Sequence, residues 1–188
     1  PIITKDGDER LISWHNTLIK DDNGKIIGTL SSGEDITEKK IIEKKLKASE
    51  KKYKDLVENA PDMIQSVDEK GQFIFVNKAW KKTLGYSAKE AKNMAFIDII
   101  DKDHLNKCMQ IFKGLQKGRS YNNVETIFLT KNGKKISVVG DISSYQEGEK
   151  FFTRGIFRDI TALKEAEEKH NKVKKKIKDT IDKFSIKV

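Results

Sequence analysis

The side chains best suited to chemistry in this sequence stand alone. Three histidines and one cysteine are spread over 188 residues. A structural zinc site needs four ligands at short, regular spacings. His15, beside Trp14 in an apolar run, has no such partner. His104 follows Asp101-Lys102-Asp103 at the start of an expected helix and reads as solvated surface. Cys108 shares a helical face with Leu105, Met109 and Phe112, where a thiol acts as a small hydrophobe. A lone cysteine also excludes an internal disulfide and a cysteine-based zinc cluster. No glycine-rich phosphate loop, paired acids or triad order stands out. Neither catalysis nor a metal is expected of this chain. The remaining candidates are short polar side chains at junctions: Asn77 between a strand and a helix, and Asp159 and Thr161 before a lysine-rich helix. Such residues usually bond nearby backbone or cap the helix.

Those junctions belong to a repeated element. Asp35-Ile36-Thr37 recurs as Asp159-Ile160-Thr161; at the same offset Ile12-Ser13 matches Ile136-Ser137 and Gly24 matches Gly148, with no gap. Each copy reads as a β-hairpin running into a helix, with Thr37 and Thr161 placed as caps. Asp22-Asn23-Gly24 and Gln146-Glu147-Gly148 supply the turns. Between the copies, residues 38–58 read as a lysine-rich helix ended before Pro61. Strands are expected over 63–67, 72–76, 122–130, 135–146 and 149–160. Short helical turns fill 78–100, interrupted at Gly85-Tyr86-Ser87, and a helix spans 101–117. The last helix starts at Thr161. Its heptad series is Leu163, Ala166, His170, Val173, Ile177, Thr180 and Phe184.

Composition narrows the class. Lys and Arg number 38 against 29 Asp and Glu, for a formal charge of +9, and charged and hydrophobic residues each make up 36%. Ordinary domains are nearer half apolar, so part of the chain is expected to be extended. The charge raises the question of nucleic acid or an anionic surface. The lysines concentrate in 38–58 and 161–188, where they flank an apolar seam, and no arginine cluster interleaves with aromatics. Solvated coiled-coil faces account for them, so no nucleic-acid partner is expected. No apolar run reaches about 18 residues, so no membrane span is expected, and no signal-peptide pattern is present. A reducing, cytoplasmic setting is expected, and the initial Pro1 suggests a piece of something longer.

Residues 50 to about 168 resemble a PAS domain of the kind found in bacterial and archaeal sensor kinases. The resemblance rests on Glu58-Asn59-Ala60-Pro61-Asp62, Phe75-Val76-Asn77-Lys78-Ala79-Trp80, Leu84-Gly85-Tyr86, Lys131-Asn132-Gly133 and Gly155-Ile156-Phe157-Arg158-Asp159-Ile160-Thr161, in that order. It implies an α+β fold: a five-stranded antiparallel sheet with short helices on one face, flanked here by coiled-coil-type helices. The expected organisation is 1–37 as the C-terminal strands of a preceding, truncated PAS domain, 38–58 as a linker helix, 59–161 as the complete domain and 162–188 as a signalling helix. The resemblance also implies a pocket. Its expected lining is Phe73, Phe75, Asn77, Trp80, Leu84, Met94, Phe96, Ile97, Met109, Phe112, Phe128, Ile136, Val138 and Ile156. These side chains are large enough to close the space, so a filled core and a pocket for a small apolar or planar ligand both stay open. The segment Asp159, Ile160 and Thr161 is implied to relay sheet movement to the last helix.

The same resemblance argues against two cofactors. Haem-binding members carry an iron-ligating histidine on the long helix; the matching position here falls near Lys107 or Cys108. Light-sensing members carry their flavin-reactive cysteine in an Asn-Cys-Arg-Phe motif, which is absent. His170 is followed by Asn171-Lys172-Val173-Lys174 rather than by an acidic residue and then a proline, so it is not expected to accept phosphate. The expected function is a sensory and dimerisation module of a cytoplasmic signalling protein. The expected parent is a two-component sensor histidine kinase whose downstream output domain is the partner, with a homodimer formed through the helices. The alternatives are a non-sensing dimerisation module, a PAS-bearing transcription regulator, or part of a cyclic-dinucleotide enzyme.

Overall fold

The computed structural model describes the backbone of residues 1–185 and the side chains through residue 181. Two compact units divide the chain, Pro1–Asp55 and a second that begins at Leu56.

Unit one holds a small hairpin, β1 (Ile2–Ile3) with β2 (Glu9–Arg10), and a longer one, β3 (Ile12–Lys20) with β4 (Ile26–Asp35). Asp21 organises the turn of the long hairpin. Its Oδ1 accepts from Asn23 and Lys25 N–H, and Gly24 takes φ 80°, a value that costs glycine little. Helix α1 (Thr37–Glu58) follows, and its last turn, from Leu56 on, belongs to unit two. The hairpin departs from the expected repeat register in one respect. Ile12 pairs with Asp35, whereas Val138 pairs with Asp159. Val138, not Ile136, is therefore the counterpart of Ile12. The longer turn over residues 21–25 absorbs the difference.

Unit two contains β5 (Met63–Asp68), β6 (Phe73–Val76), α2 (Lys78–Leu84), α3 (Ala88–Ala91), a 3-10 turn (Phe96–Ile99), α4 (Lys102–Leu115), β7 (Tyr121–Leu129), β8 (Lys135–Glu147), β9 (Lys150–Asp159) and α5 (Thr161–Ser185). The five strands form one antiparallel sheet in the order β6-β5-β9-β8-β7. The first and last strand pairs thus meet at the centre, along β5 and β9. Period-two alternation of Met63, Gln65 and Val67, and of Val124, Thr126 and Phe128, turns one face inward. The helices cover that face. Trp80 and Leu84 of α2 are fully buried, and Phe73 meets Trp80 edge-on at 5.2 Å. A buried aromatic of this size removes about 150–250 Å² from water. Two glycines make room for Phe157. A Cβ on Gly140 would lie 2.3 Å from the Ile156 carbonyl, and one on Gly155 would lie 2.5 Å from Phe157 Cε2. The Phe157 ring therefore lies flat over the sheet and packs edge-on to Phe128 at 4.9 Å.

Candidate functional site: a core cavity and a helix joint

Asn77 is fully buried where three segments meet. It caps α2, accepting the Trp80 N–H at 3.0 Å on Oδ1, which also accepts the Ile64 N–H at 3.0 Å. Its Nδ2 donates to the carbonyls of Val57 at 3.1 Å and Asp62 at 2.9 Å. The expected structural role is what the geometry gives: Asn77 ties the end of α1, the start of β5 and the first turn of α2. It does not line the cavity.

From the same turn, Trp80 Nε1 donates to Gln65 Oε1 at 2.8 Å. Gln65 sits on the inner face of β5 and opens on a cavity of about 50 Å³. The walls come from Gln65 and Val67 of β5, Phe96 and Ile100, and Cys108, Ile111, Phe112 and Leu115 of α4. Val124, Thr126 and Phe128 of β7, Ile142 of β8, and Thr153, Gly155 and Phe157 of β9 close it. Pockets that seat drug-sized ligands are about 300–1,000 Å³, so this is a much smaller space. Cys108 Sγ lies 3.4 Å from Thr126 Oγ1. Burial holds its thiol above the ordinary range, outweighing the Thr126 contact and the nearby Lys107 charge. It is accordingly a neutral wall residue.

Of the expected lining, Phe96, Phe112 and Phe128 reach the cavity. Phe73, Trp80, Leu84, Ile136 and Val138 are buried in the surrounding core, and Met94 packs against it. Ile97, Met109 and Ile156 are 42%, 36% and 42% exposed and point away from the core. The buried stripe of α4 runs through Cys108, Ile111, Phe112 and Leu115, the i, i+3, i+4, i+7 pattern. Met109 falls beside that stripe. Ile156 alternates with the inward Gly155 and Phe157. Phe75 is only half-buried. The register slips between Ser66 and Val67, so that Phe73 pairs with Val67 while Phe75 pairs with Ser66. This bulge puts Phe73 and Phe75 on opposite faces. The sequence reading missed Gln65 and Thr126 because polar residues were not sought on an inner face; strand parity with Val67 and Phe128 was the available signal. His104 is half-buried rather than fully solvated. Among the described residues no group of His, Cys, Asp or Glu is arranged to hold a metal.

The second feature is the joint at the end of β9. Asp159 Oδ1 accepts the Thr161 N–H at 2.8 Å. Thr161 Oγ1 accepts the Ser137 N–H of β8 at 3.0 Å, and Ile160 N–H donates to the Ser137 carbonyl at 2.9 Å. Asp159 therefore closes the turn, and Thr161, expected as the cap, is the first helical residue and a tie to the sheet. An ion pair of Lys164 with Glu125 at 2.9 Å adds a second tie to β7. Unit one repeats this joint. Asp35 Oδ1 accepts the Thr37 N–H at 2.9 Å, Thr37 Oγ1 accepts the Leu11 N–H at 2.7 Å, and Ile36 N–H donates to the Leu11 carbonyl at 2.8 Å. The bonds from Thr37 hold the Asp35 carboxyl below the usual range.

The chain is 28% identical over 165 residues to Sporulation kinase C of Bacillus subtilis (strain 168), covering 80% of this chain and 37% of that protein. It is 27% identical over 135 residues to Sensor histidine kinase TmoS of Ectopseudomonas mendocina, covering 70% of this chain and 14% of that protein. The chain thus spans well under half the length of these relatives. Among solved structures, the PAS domain of an HTR-like protein from Haloarcula marismortui aligns with a TM-score of 0.55 at 24% identity, over 64% of this chain and 99% of that one. A PAS domain from Colwellia psychrerythraea aligns with a TM-score of 0.54 at 20% identity, over 60% of this chain and 97% of that one. The five-stranded antiparallel sheet with its covering helices is the fold these structures share. The family model described as PAS fold matches residues 51–160, and the chain belongs to that family.

Proposed function

We propose that the chain is a sensory and dimerisation module of a two-component sensor histidine kinase, relaying a small-ligand or partner signal through α5. The observation that carries this reading is the joint. Backbone and side-chain bonds fasten Ile160 and Thr161 to Ser137 on β8, so the first turn of α5 follows any movement of the sheet. Similarity to sensor kinases supports the parent. On this reading residues 1–37 are the closing strands of a preceding PAS domain, because unit one reproduces the same three-bond joint. The module works in a cytoplasmic setting, pairs with a second copy through its helices, and needs no haem or covalent flavin. Among the described residues no helix is long and apolar enough to cross a membrane.

The test is helical phase. One inserted residue rotates everything downstream by about 100°, and seven nearly restore a heptad seam. Insertions of one to seven residues between Glu168 and Lys169 in the full-length parent should make kinase output rise and fall, with the seven-residue insertion near wild type. A steady loss with length would mean a flexible tether. Indifference to all insertions would favour the second reading, a dimerisation module that does not sense, for which the small cavity of about 50 Å³ speaks.

A further inference from the structure

We propose that the cavity seats a small neutral molecule bearing a hydrogen-bond acceptor, held by the side-chain amide of Gln65. This deepens the sensory reading above and rests on it. An indole N–H is a donor only, so the Gln65 atom 2.8 Å from Trp80 Nε1 is the oxygen. The two N–H donors of Nε2 therefore face elsewhere. The Trp80 bond is the one side-chain hydrogen bond of Gln65 among the described residues. Among the described residues that are not exposed, every side-chain nitrogen or oxygen sealed from water-sized space has a partner, so Nε2 opens on such space. Gln65 is only 8% exposed and lines the cavity. The cavity is the space it opens on.

The walls define the guest. The Thr126 hydroxyl and Cys108 thiol are already paired with each other; Thr153 adds a hydroxyl to the wall, and the rest of the lining apart from Gln65 is apolar. Among the described residues no ionised side chain lines the cavity, and an unpaired ion buried there would cost far more than one hydrogen bond returns. The guest is therefore neutral. Size sets the second bound. One water takes up about 10–15 Å³ of such space, so about 50 Å³ admits about three to five heavy atoms. Short alcohols, ketones and amides meet both conditions. A guest that pulls on the Gln65 amide also pulls on Trp80, whose backbone N–H donates to Asn77 Oδ1. Asn77 in turn holds the Val57 carbonyl at the end of α1.

The experiment is a titration of the full 188-residue chain with acetone, followed by NMR at the Gln65 side-chain amide and the Trp80 indole. Xenon serves as the apolar probe. The Gln65 amide signals are assigned by their loss in Gln65→Met. Acetone should shift both groups saturably, and Gln65→Met should weaken acetone about three- to tenfold, the worth of one hydrogen bond, while leaving xenon unchanged. Ile111→Phe fills the cavity from α4 without touching Gln65 or Trp80, and should abolish both probes. Acetone affinity that is unchanged in Gln65→Met, or xenon binding without acetone binding, would overturn the assignment of Gln65 yet leave a sensing cavity. Failure of both probes in the wild type would overturn this proposal and the small-ligand branch of the sensory reading together. If Gln65→Met melts too low to study, a saturable acetone shift of the wild-type amide, lost in Ile111→Phe, supports the proposal, and a flat amide signal overturns it.

Discussion

Removing the Asn77 amide would break four hydrogen bonds at once: those to the N–H groups of Ile64 and Trp80 and to the carbonyls of Val57 and Asp62, leaving the Val57 carbonyl only the longer bond from Ala60 N–H at 3.4 Å. Each net hydrogen bond is worth about 1 kcal/mol, so Asn77→Ala should cost about 3–4 kcal/mol in urea unfolding. A loss below about 1 kcal/mol would mean that water replaces the amide and that Asn77 organises little. Asn77→Asp should also destabilise, because a carboxylate would face two carbonyls it cannot donate to. Gly140 makes a parallel case for shape. A methyl group there would meet the Ile156 carbonyl at 2.3 Å, so Gly140→Ala should cost about 1–3 kcal/mol, the usual penalty of overpacking. An unchanged urea midpoint would show that the strand can yield. At this scale the sequence was partly legible. Asn77 could be read, because a short polar residue between a strand and a helix has few other uses. Phe75 could not, since a single bulge reverses its face and leaves no mark in composition. The inner-face place of Gln65 was legible from strand parity with Val67, but its bond to Trp80, fifteen residues away, was not.

Elements were more legible than side chains, since periodicity and turn chemistry are local. All five strands of the sheet and α4 fall within about two residues of their expected bounds, the ordinary disagreement at element ends. The face of α4 was misjudged by one position, because Met109 and Cys108 are both apolar and only packing decides between them. The clamp between α3 and the β7–β8 turn is a tertiary contact and had no local signal. Glu90 bonds Lys131 at 2.6 Å and accepts from the Ser87 N–H at 2.9 Å. Lys131, followed by the Ser87 bonds, lowers its pKa to about 2. An unfolded glutamate titrates near 4.3. The folded value is the lower, so the clamp stabilises fully above the unfolded value and is lost as pH falls toward 2. Asp101, held low mainly by Lys135, adds in the same direction. The melting temperature should therefore drop between about pH 5 and 2, and Glu90→Gln should flatten that slope. Equal slopes for the two proteins would rule the clamp out. The joint predicts a different outcome. Asp159→Ala removes the bond to the Thr161 N–H, a cap worth about 1 kcal/mol. In the parent it should uncouple output from stimulus with little loss of fold; if the variant simply unfolds, Asp159 is structural only.

For the whole molecule the open question is what covers the lysine-rich helices. An isolated helix of this composition would be marginal in water. In α5, Leu163, Val173 and Ile177 are 56%, 55% and 55% exposed. With Ala166 and His170 they keep the alternating three- and four-residue spacing of a two-stranded seam. Phe184, the last expected seam position, has its side chain outside the described residues. Lysines 169, 172, 174, 175, 176 and 178 flank the stripe and stay solvated. A second copy in parallel would bury the same residues from both sides, and it would bring two α5 helices to one output domain in equivalent phase. That arrangement is what the phase experiment presupposes, so it can be tested first. The wild-type chain should sediment as a dimer at high micromolar concentration, and Val173→Asp with Ile177→Asp should sediment as a monomer. The unfolding of unit two should be little changed, because neither residue touches its core. A wild-type monomer at that concentration would remove the seam as an interface. A dimer that survives both substitutions would move the interface elsewhere, to the exposed strands of the β3–β4 hairpin, where Trp14, Leu18 and Leu30 are 58%, 55% and 62% exposed and unpaired edges favour pairing with another chain.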